Sequence, residues 1–208
     1  MISHTAAAEP FGAAAGLVIA GGRSVRFGGE KAVALLGERP LLLLAAQRLQ
    51  RSCSVVAVNA RPGTQAESLA NEAQLAVLKD DPGDASGPLA GVKVGLRWAR
   101  DLGARALAIS PCDVPLLPLD VFTRLIEAAG AGAALAVTPE GRQPLCSVWP
   151  VSALETVTQA LANGQHPPTW QLLESLGAVR VAFDDAAAFA NVNTREDLAQ
   201  IEKRLYQR

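Results

Sequence analysis

The chain has 208 residues, half of them hydrophobic and 19% charged, with a formal net charge of -1 and an isoelectric point near 6.1. That composition excludes a disordered chain, and the near-neutral balance excludes the basic footprint of a nucleic-acid-binding surface. Three scattered cysteines (Cys53, Cys112, Cys146) and two histidines (His4, His166) exclude a disulfide framework, a cysteine zinc site and an imidazole-rich metal centre.

Residues 1–14 are small, polar and alanine-rich and read as a poorly ordered lead-in, leaving 15–208 as one domain. Gly16 to Ala20 is a continuous apolar run bounded by glycines, the pattern of a strand buried on both faces. A glycine- and arginine-rich loop, Gly21 to Lys31, follows it, and then a helix from Pro40 to Gln50. Ser54–Asn59 and Gln74–Leu78 read as further strands. Pro88 opens a helix with an apolar face running to about Leu102. A strand at Ala106–Ile109 precedes Ser110-Pro111-Cys112-Asp113, and a helix is expected over Leu119–Ala129. Strands are predicted at Ala133–Thr138, Cys146–Trp149 and Val179–Phe183, and helices at Val151–Asn163 and Thr169–Leu176. Thr194 caps a last helix with Glu196 and Asp197 in its first turn.

Strands alternating with helices predict an α/β fold: a single Rossmann-like, three-layer nucleotide-binding domain with a mostly parallel sheet. No apolar run reaches the ~20 residues that span a bilayer, and the start has no basic region typical of a signal peptide, so a soluble, cytoplasmic protein is expected.

Ligands of such sheets gather at the carboxyl ends of the strands. After the first strand, paired glycines allow backbone N–H groups to approach an anion, and Arg23, Arg26 and Lys31 add three positive charges. The loop is neither a Walker P-loop nor GxGxxG. Asn59, after its strand, suits a base or sugar contact or a turn equally well. Asp80 and Asp81 are either solvated or contact a ribose or base. Asp113, framed by Pro111 and Pro115, is a candidate magnesium ligand because that ion takes hard oxygen donors; a turn role is the alternative. Asn191 and Asn193, before the last helix, fit either a metal or phosphate contact or a turn.

In order along the chain, Ile19-Ala20-Gly21-Gly22-Arg23-Ser24-Val25-Arg26-Phe27-Gly28 with Lys31, Val58-Asn59-Ala60, Gly87-Pro88-Leu89-Ala90-Gly91, Pro111-Cys112-Asp113-Val114-Pro115 and Asn191-Val192-Asn193-Thr194 resemble the molybdenum cofactor guanylyltransferase family. The resemblance runs from Gly16 to about Arg204. It implies GTP contacts from the backbone of Ile19, Ala20 and Gly21, phosphate binding by Lys31, nucleoside contacts from Asn59 and Asp80, and Mg²⁺ on Asp113. Asp80 rather than Asp81 keeps the spacing to Gly87-Pro88-Leu89. Glu30 stands where the family has an aspartate, in a loop one residue shorter than in some members, and Gln143 where it often has a histidine.

The implied reaction is transfer of GMP from GTP to a molybdopterin cofactor with release of pyrophosphate. Mg²⁺, Lys31, Asp113 and the arginines, Arg23 among them, would carry catalysis by positioning and charge neutralisation. Molybdoenzymes or their chaperones would receive the product. CMP transfer to the same cofactor, nucleotidyl transfer to another phosphorylated small molecule, and a nucleotide-binding adaptor without turnover are the alternatives.

Overall fold

The structure, a computed structural model, describes residues 14–21, 27–84 and 87–206. Strand β1 (Ala14–Ile19) is followed by a small hairpin of β2 (Leu35–Leu36) and β3 (Arg39–Pro40), helix α1 (Leu41–Gln50), β4 (Val56–Asn59), α2 (Gln65–Glu72) and β5 (Ala76–Leu78). Then come α3 (Pro88–Asp101), β6 (Ala106–Pro111), α4 (Val121–Ala129), β7 (Ala134–Thr138) and β8 (Gly141–Pro150). α5 (Leu154–Ala160), α6 (Thr169–Ser175), β9 (Val179–Ala182) and α7 (Arg195–Tyr206) complete it.

Seven strands form the main sheet in the order β5-β4-β1-β6-β8-β7-β9, and all neighbours are parallel except where β8 pairs antiparallel with β6 and β7. The period-2 alternation of each strand sends its apolar residues to two cores. Ala14, Val18, Val58 and Ala108 face α1, α2 and α4 through Leu42, Leu49, Ala66 and Phe122. Ala15, Leu17, Leu107, Ile109 and Trp149 face α3, α5 and α6 through Leu89, Val92, Leu96, Val157 and Leu173. This is the three-layer α/β domain expected. Fully burying one of these leucines contributes roughly 1.5–3 kcal/mol.

Gly91 and Gly95 share the face of α3 that meets the sheet, where a side chain would find no room. A Cβ at Gly95 would stand 2.6 Å from Leu17 Cδ2 and 2.8 Å from Leu107 Cδ2. A third cluster, Phe27, Leu36, Leu41, Val192 and Ile201, fastens the hairpin and α7 to the end of the domain.

Several local expectations need correction. Ala14 belongs to β1, where it is 2% exposed and pairs with Ala106, so the strand begins two residues before Gly16; residues 1–13 lie outside the described residues. β8 has ten residues, where only Cys146–Trp149 was expected, because half-polar Gly141–Leu145 forms a hairpin with β7. The single helix expected over Val151–Asn163 is α5 flanked by 3₁₀ turns at Val151–Ala153 and Ala162–Gly164. α2 was not foreseen: it buries only Ala66 and Ala70, too little apolar surface to mark a period.

The chain passes from β1 outward to β4 and β5, then returns through α3 to β6 on the other side of β1. A crevice therefore opens at the carboxyl ends of β1 and β6, the switch point where open α/β sheets bind ligands.

Candidate active site

The end of β1 is tied on both sides: Ala20 N donates to Asn59 O at 2.9 Å, and Cys112 N donates to Ile19 O at 3.2 Å. Ile19, Ala20 and Gly21, all half-buried, thus border both the β4 and β6 tips. Arg23 and Arg26 lie outside the described residues.

Lys31 opens a 3₁₀ turn after the loop and points back to the β6 tip. Its Nζ donates to Asp113 Oδ2 at 2.6 Å and to Asn193 Oδ1 at 3.2 Å. The two charged side chains are only 14% and 21% exposed, so solvent screens them poorly. Asp113 in turn anchors the segment before α7, since its carbonyl oxygen accepts from Val192 N at 2.8 Å.

Asn193 is held by a capping box. Asp197 Oδ2 accepts from the backbone N–H of Asn193 (2.8 Å) and Thr194 (2.9 Å), and Asp197 N donates to Thr194 Oγ1 at 3.1 Å. The Asn193 and Thr194 amides, with a further contribution from the Lys31 charge, hold the Asp197 carboxyl below its ordinary value. Thr194 caps α7 as expected, Asn193 joins Lys31 and Asp113, and Asn191 is exposed.

A second group lies across β1. Asn59, 4% exposed, donates through Nδ2 to Asp80 Oδ1 at 2.8 Å and to Leu78 O at 3.3 Å. Gly91 makes room for it, because a Cβ there would stand 2.5 Å from Asn59 Oδ1 and 2.9 Å from Ile19 Cδ1. Asp80 and Asp81 part company: Asp80 turns to Asn59, whereas Asp81 turns to Arg97 on α3.

Four residues have roles that the sequence reading did not assign. Glu30 accepts from the N–H groups of Gln65 (3.0 Å) and Ala66 (2.9 Å), so it caps α2 from 35 positions away and fixes the residue before Lys31. Its extra methylene relative to aspartate lengthens that reach. His166 Nε2 accepts from Leu89 N at 3.1 Å at the start of α3, and its ring stands where a Cβ on Gly87 would be. His166 is therefore a cap, and nothing in its sequence context signals this. Arg97, with Lys93 one turn earlier, carried a legible signal: two cations at i and i+4 opposite an acidic loop.

Whether this site fits Mg²⁺ is decided by its donors. Among the described residues no cluster of three or more histidine, cysteine or acidic side chains exists. A carboxylate and an amide oxygen nevertheless already converge on one positive charge, the Lys31 ammonium. Magnesium is held in this way by one or two carboxylates together with substrate phosphates, so the donor set fits. Cys112 is no rival nucleophile: burial first, then the neighbouring Asp113 charge, pushes its thiol up to about 12.

A three-layer α/β domain with a lysine, a carboxylate and amides at its switch point has the donors a nucleotide's phosphates require. The chain belongs to the family of the MobA-like NTP transferase domain, whose model matches residues 16–181. It is 40% identical over 192 residues to the molybdenum cofactor guanylyltransferase of Cereibacter sphaeroides, covering 91% of this chain and 96% of the relative. The guanylyltransferase of Cupriavidus taiwanensis is 38% identical over 200 residues, with the same coverage. Among solved structures, molybdopterin-guanine dinucleotide biosynthesis protein A of Archaeoglobus fulgidus has the same fold, with a TM-score of 0.74 at 22% identity over 93% of this chain and 100% of that one. Among the described residues, no helix is long and apolar enough to cross a membrane.

Proposed function

We propose that this protein transfers GMP from GTP to the terminal phosphate of a molybdopterin cofactor. A phosphate oxygen of the acceptor attacks the α-phosphorus of GTP, the bond from that phosphorus to the β-phosphate oxygen breaks, and pyrophosphate leaves. The acceptor is already an anion near neutral pH, since the second ionisation of a phosphate monoester lies near ~6, so no strong base is needed. What the reaction requires is alignment of two anions and neutralisation of their charge.

The observation that carries this reading is the meeting of Lys31, Asp113 and Asn193 at the β1/β6 switch point, in a chain of this family. Lys31 would bind the phosphates, assisted by Arg23. Asp113 and Asn193 would hold Mg²⁺, which when bound supplies further positive charge for the phosphates. The backbone of Ile19, Ala20 and Gly21 would border the nucleotide, and Asn59 with Asp80 would contact the nucleoside. The carboxylate of Asp80 is an acceptor for which guanine offers N1–H and N2–H donors and adenine offers neither. The product would pass to molybdoenzymes or their chaperones, in the cytoplasm, where cysteines stay reduced.

The test is turnover with GTP, CTP and ATP side by side, with saturating pterin acceptor and magnesium. GTP should be strongly preferred, with one pyrophosphate released per product. Comparable rates with all three would overturn guanine readout, and a preference for CTP would make the protein a cytidylyltransferase.

A further inference from the structure

α3 meets the nucleoside side of the cleft with more than Gly91. Lys93 and Arg97 lie one turn apart on the helix and both reach into the loop from β5 to α3. Arg97 grips Asp81 with both arms: Nη1 donates to Oδ2 at 2.9 Å and Nη2 to Oδ1 at 2.8 Å. Lys93 Nζ stands 3.0 Å from the same carboxylate and 2.6 and 2.8 Å from the two oxygens of Asp84. The Lys93 and Asp84 side chains are each only 12% exposed.

Asp80 stands between this cluster and Asn59. It is exposed, and its neighbours in the loop include Pro82 and Gly83, the latter at φ 93°. A glycine-containing loop has much conformational freedom to lose on ordering, and a bidentate guanidinium–carboxylate pair is well suited to offset that loss. The Arg97 guanidinium holds the Asp81 carboxyl well below the usual carboxylate range. Burial alone would lower the Lys93 ammonium, but the Asp84 and Asp81 carboxylates outweigh it and raise it.

We propose that Lys93 and Arg97 are positioning residues for nucleoside recognition: by pinning Asp81 and Asp84 they hold the Asp80 carboxylate beside Asn59, and so set the preference for guanine nucleotides. The inference rests on the reading of Asp80 and Asn59 as nucleoside contacts. In this role neither cation needs to touch the nucleotide. Their effect would reach it through one peptide unit, from Asp81 to Asp80.

Binding to the full chain in magnesium buffer tests this, with GTP, guanosine, ATP and pyrophosphate as probes. The variants are Arg97→Ala, Arg97→Lys, Lys93→Met and Asp80→Asn. Arg97→Ala and Lys93→Met should weaken GTP and guanosine by the same factor, roughly three- to tenfold, as for loss of a partly exposed ion pair that orders a loop. Pyrophosphate should bind as in the parent, the GTP-to-ATP preference should shrink, and Arg97→Lys should recover part of the loss. In turnover, KM for GTP should rise with kcat nearly unchanged.

Unchanged guanosine affinity in Arg97→Ala, beside a clear loss in Asp80→Asn, would overturn the proposal while leaving Asp80 in its role. Equal losses for guanosine and pyrophosphate would overturn it as general loosening of the fold. A loss in Arg97→Ala without one in Asp80→Asn would overturn the route through Asp80. Failure of the nucleotidyltransferase reading is distinct, because the parent itself would then bind no GTP, and the proposal would fall with it.

Discussion

Lys31 and Asp113, 82 positions apart in the chain, bring their charged ends within 2.6 Å where the loops after β1 and β6 meet. An ion pair of this kind contributes at most about 1 kcal/mol when exposed, and burial adds a desolvation cost. Stability alone is a weak reason for placing it at a switch point. In the proposed function the pair would present a cation for phosphates and a carboxylate for a metal side by side.

Asp113→Asn should therefore abolish activity far more than it disturbs the fold. The substitution keeps the side-chain shape and leaves the backbone bond from Val192 to Asp113 intact. Turnover should fall by at least about a hundredfold, the scale of a lost metal or charge clamp. A variant with near-parental kcat and an unchanged melting curve would remove Asp113 from the site.

Lys31→Ala separates phosphate binding from nucleoside binding. An ammonium acts on phosphate as a point charge, so GTP should lose affinity while guanosine does not. Calorimetric titration of both ligands decides the matter, and equal losses for the two would make Lys31 a structural residue.

Glu30→Ala removes the two acceptors at the start of α2. Losing a helix cap costs about 0.5–2 kcal/mol, which for a domain of this size lowers the melting temperature by a few degrees. Glu30→Asp should recover only part, because the shorter side chain reaches less far. Identical melting temperatures for parent and Glu30→Ala would show that water satisfies those amides as well.

The order of the elements was legible because β1, β4 and β6 are short apolar runs bounded by glycine, proline or polar residues, and two-sided burial leaves that mark. α2 was not, since its Gln65–Glu72 stretch is mostly polar and is fixed by caps from Thr64 and Glu30. The antiparallel setting of β8 was also hidden, because direction depends on the hairpin around Gly141 and not on apolar content. At the candidate site, Asn59, Asp80 and Asp113 were visible as polar residues at or just after strand ends, and Lys31 as a cation in the loop after β1. Their grouping was not: Asn193 reaches Lys31 from 162 positions away, and Asp81 turns from Asp80 to meet Arg97 and Lys93.

The Asp81 clamp should also give the protein an acid-sensitive increment of stability. Its carboxyl is held low chiefly by the Arg97 hydrogen bonds, against the opposing push of burial. A carboxyl depressed in the folded state adds stability that is fully present above its unfolded value, near ~3.9, and is lost as pH falls through the folded one. The melting-temperature gap between parent and Asp81→Asn should be constant from about pH 5 to 8 and close below about pH 4. A gap that widened on acidification would have the wrong sign.

Gly91→Ala sets two effects of opposite sign against each other. Alanine in a helix interior is favoured over glycine by up to about 1 kcal/mol. The new methyl would stand 2.5 Å from Asn59 Oδ1 and 2.9 Å from both Asn59 Cγ and Ile19 Cδ1, closer than such atoms can remain. Overpacking of this kind costs roughly 1–3 kcal/mol, less where a side-chain end can move aside. Asn59 is such an end, but it is 4% exposed and holds both Asp80 and the Leu78 carbonyl. Moving it would break the contact that presents Asp80. The net change in stability should therefore be small, while guanosine affinity falls several-fold and pyrophosphate affinity holds. Melting curves and the two titrations on one preparation check both halves. A variant that melts like the parent and binds guanosine as tightly would mean that Asn59 relaxes without consequence, and the nucleoside role of the Asn59–Asp80 pair would be lost.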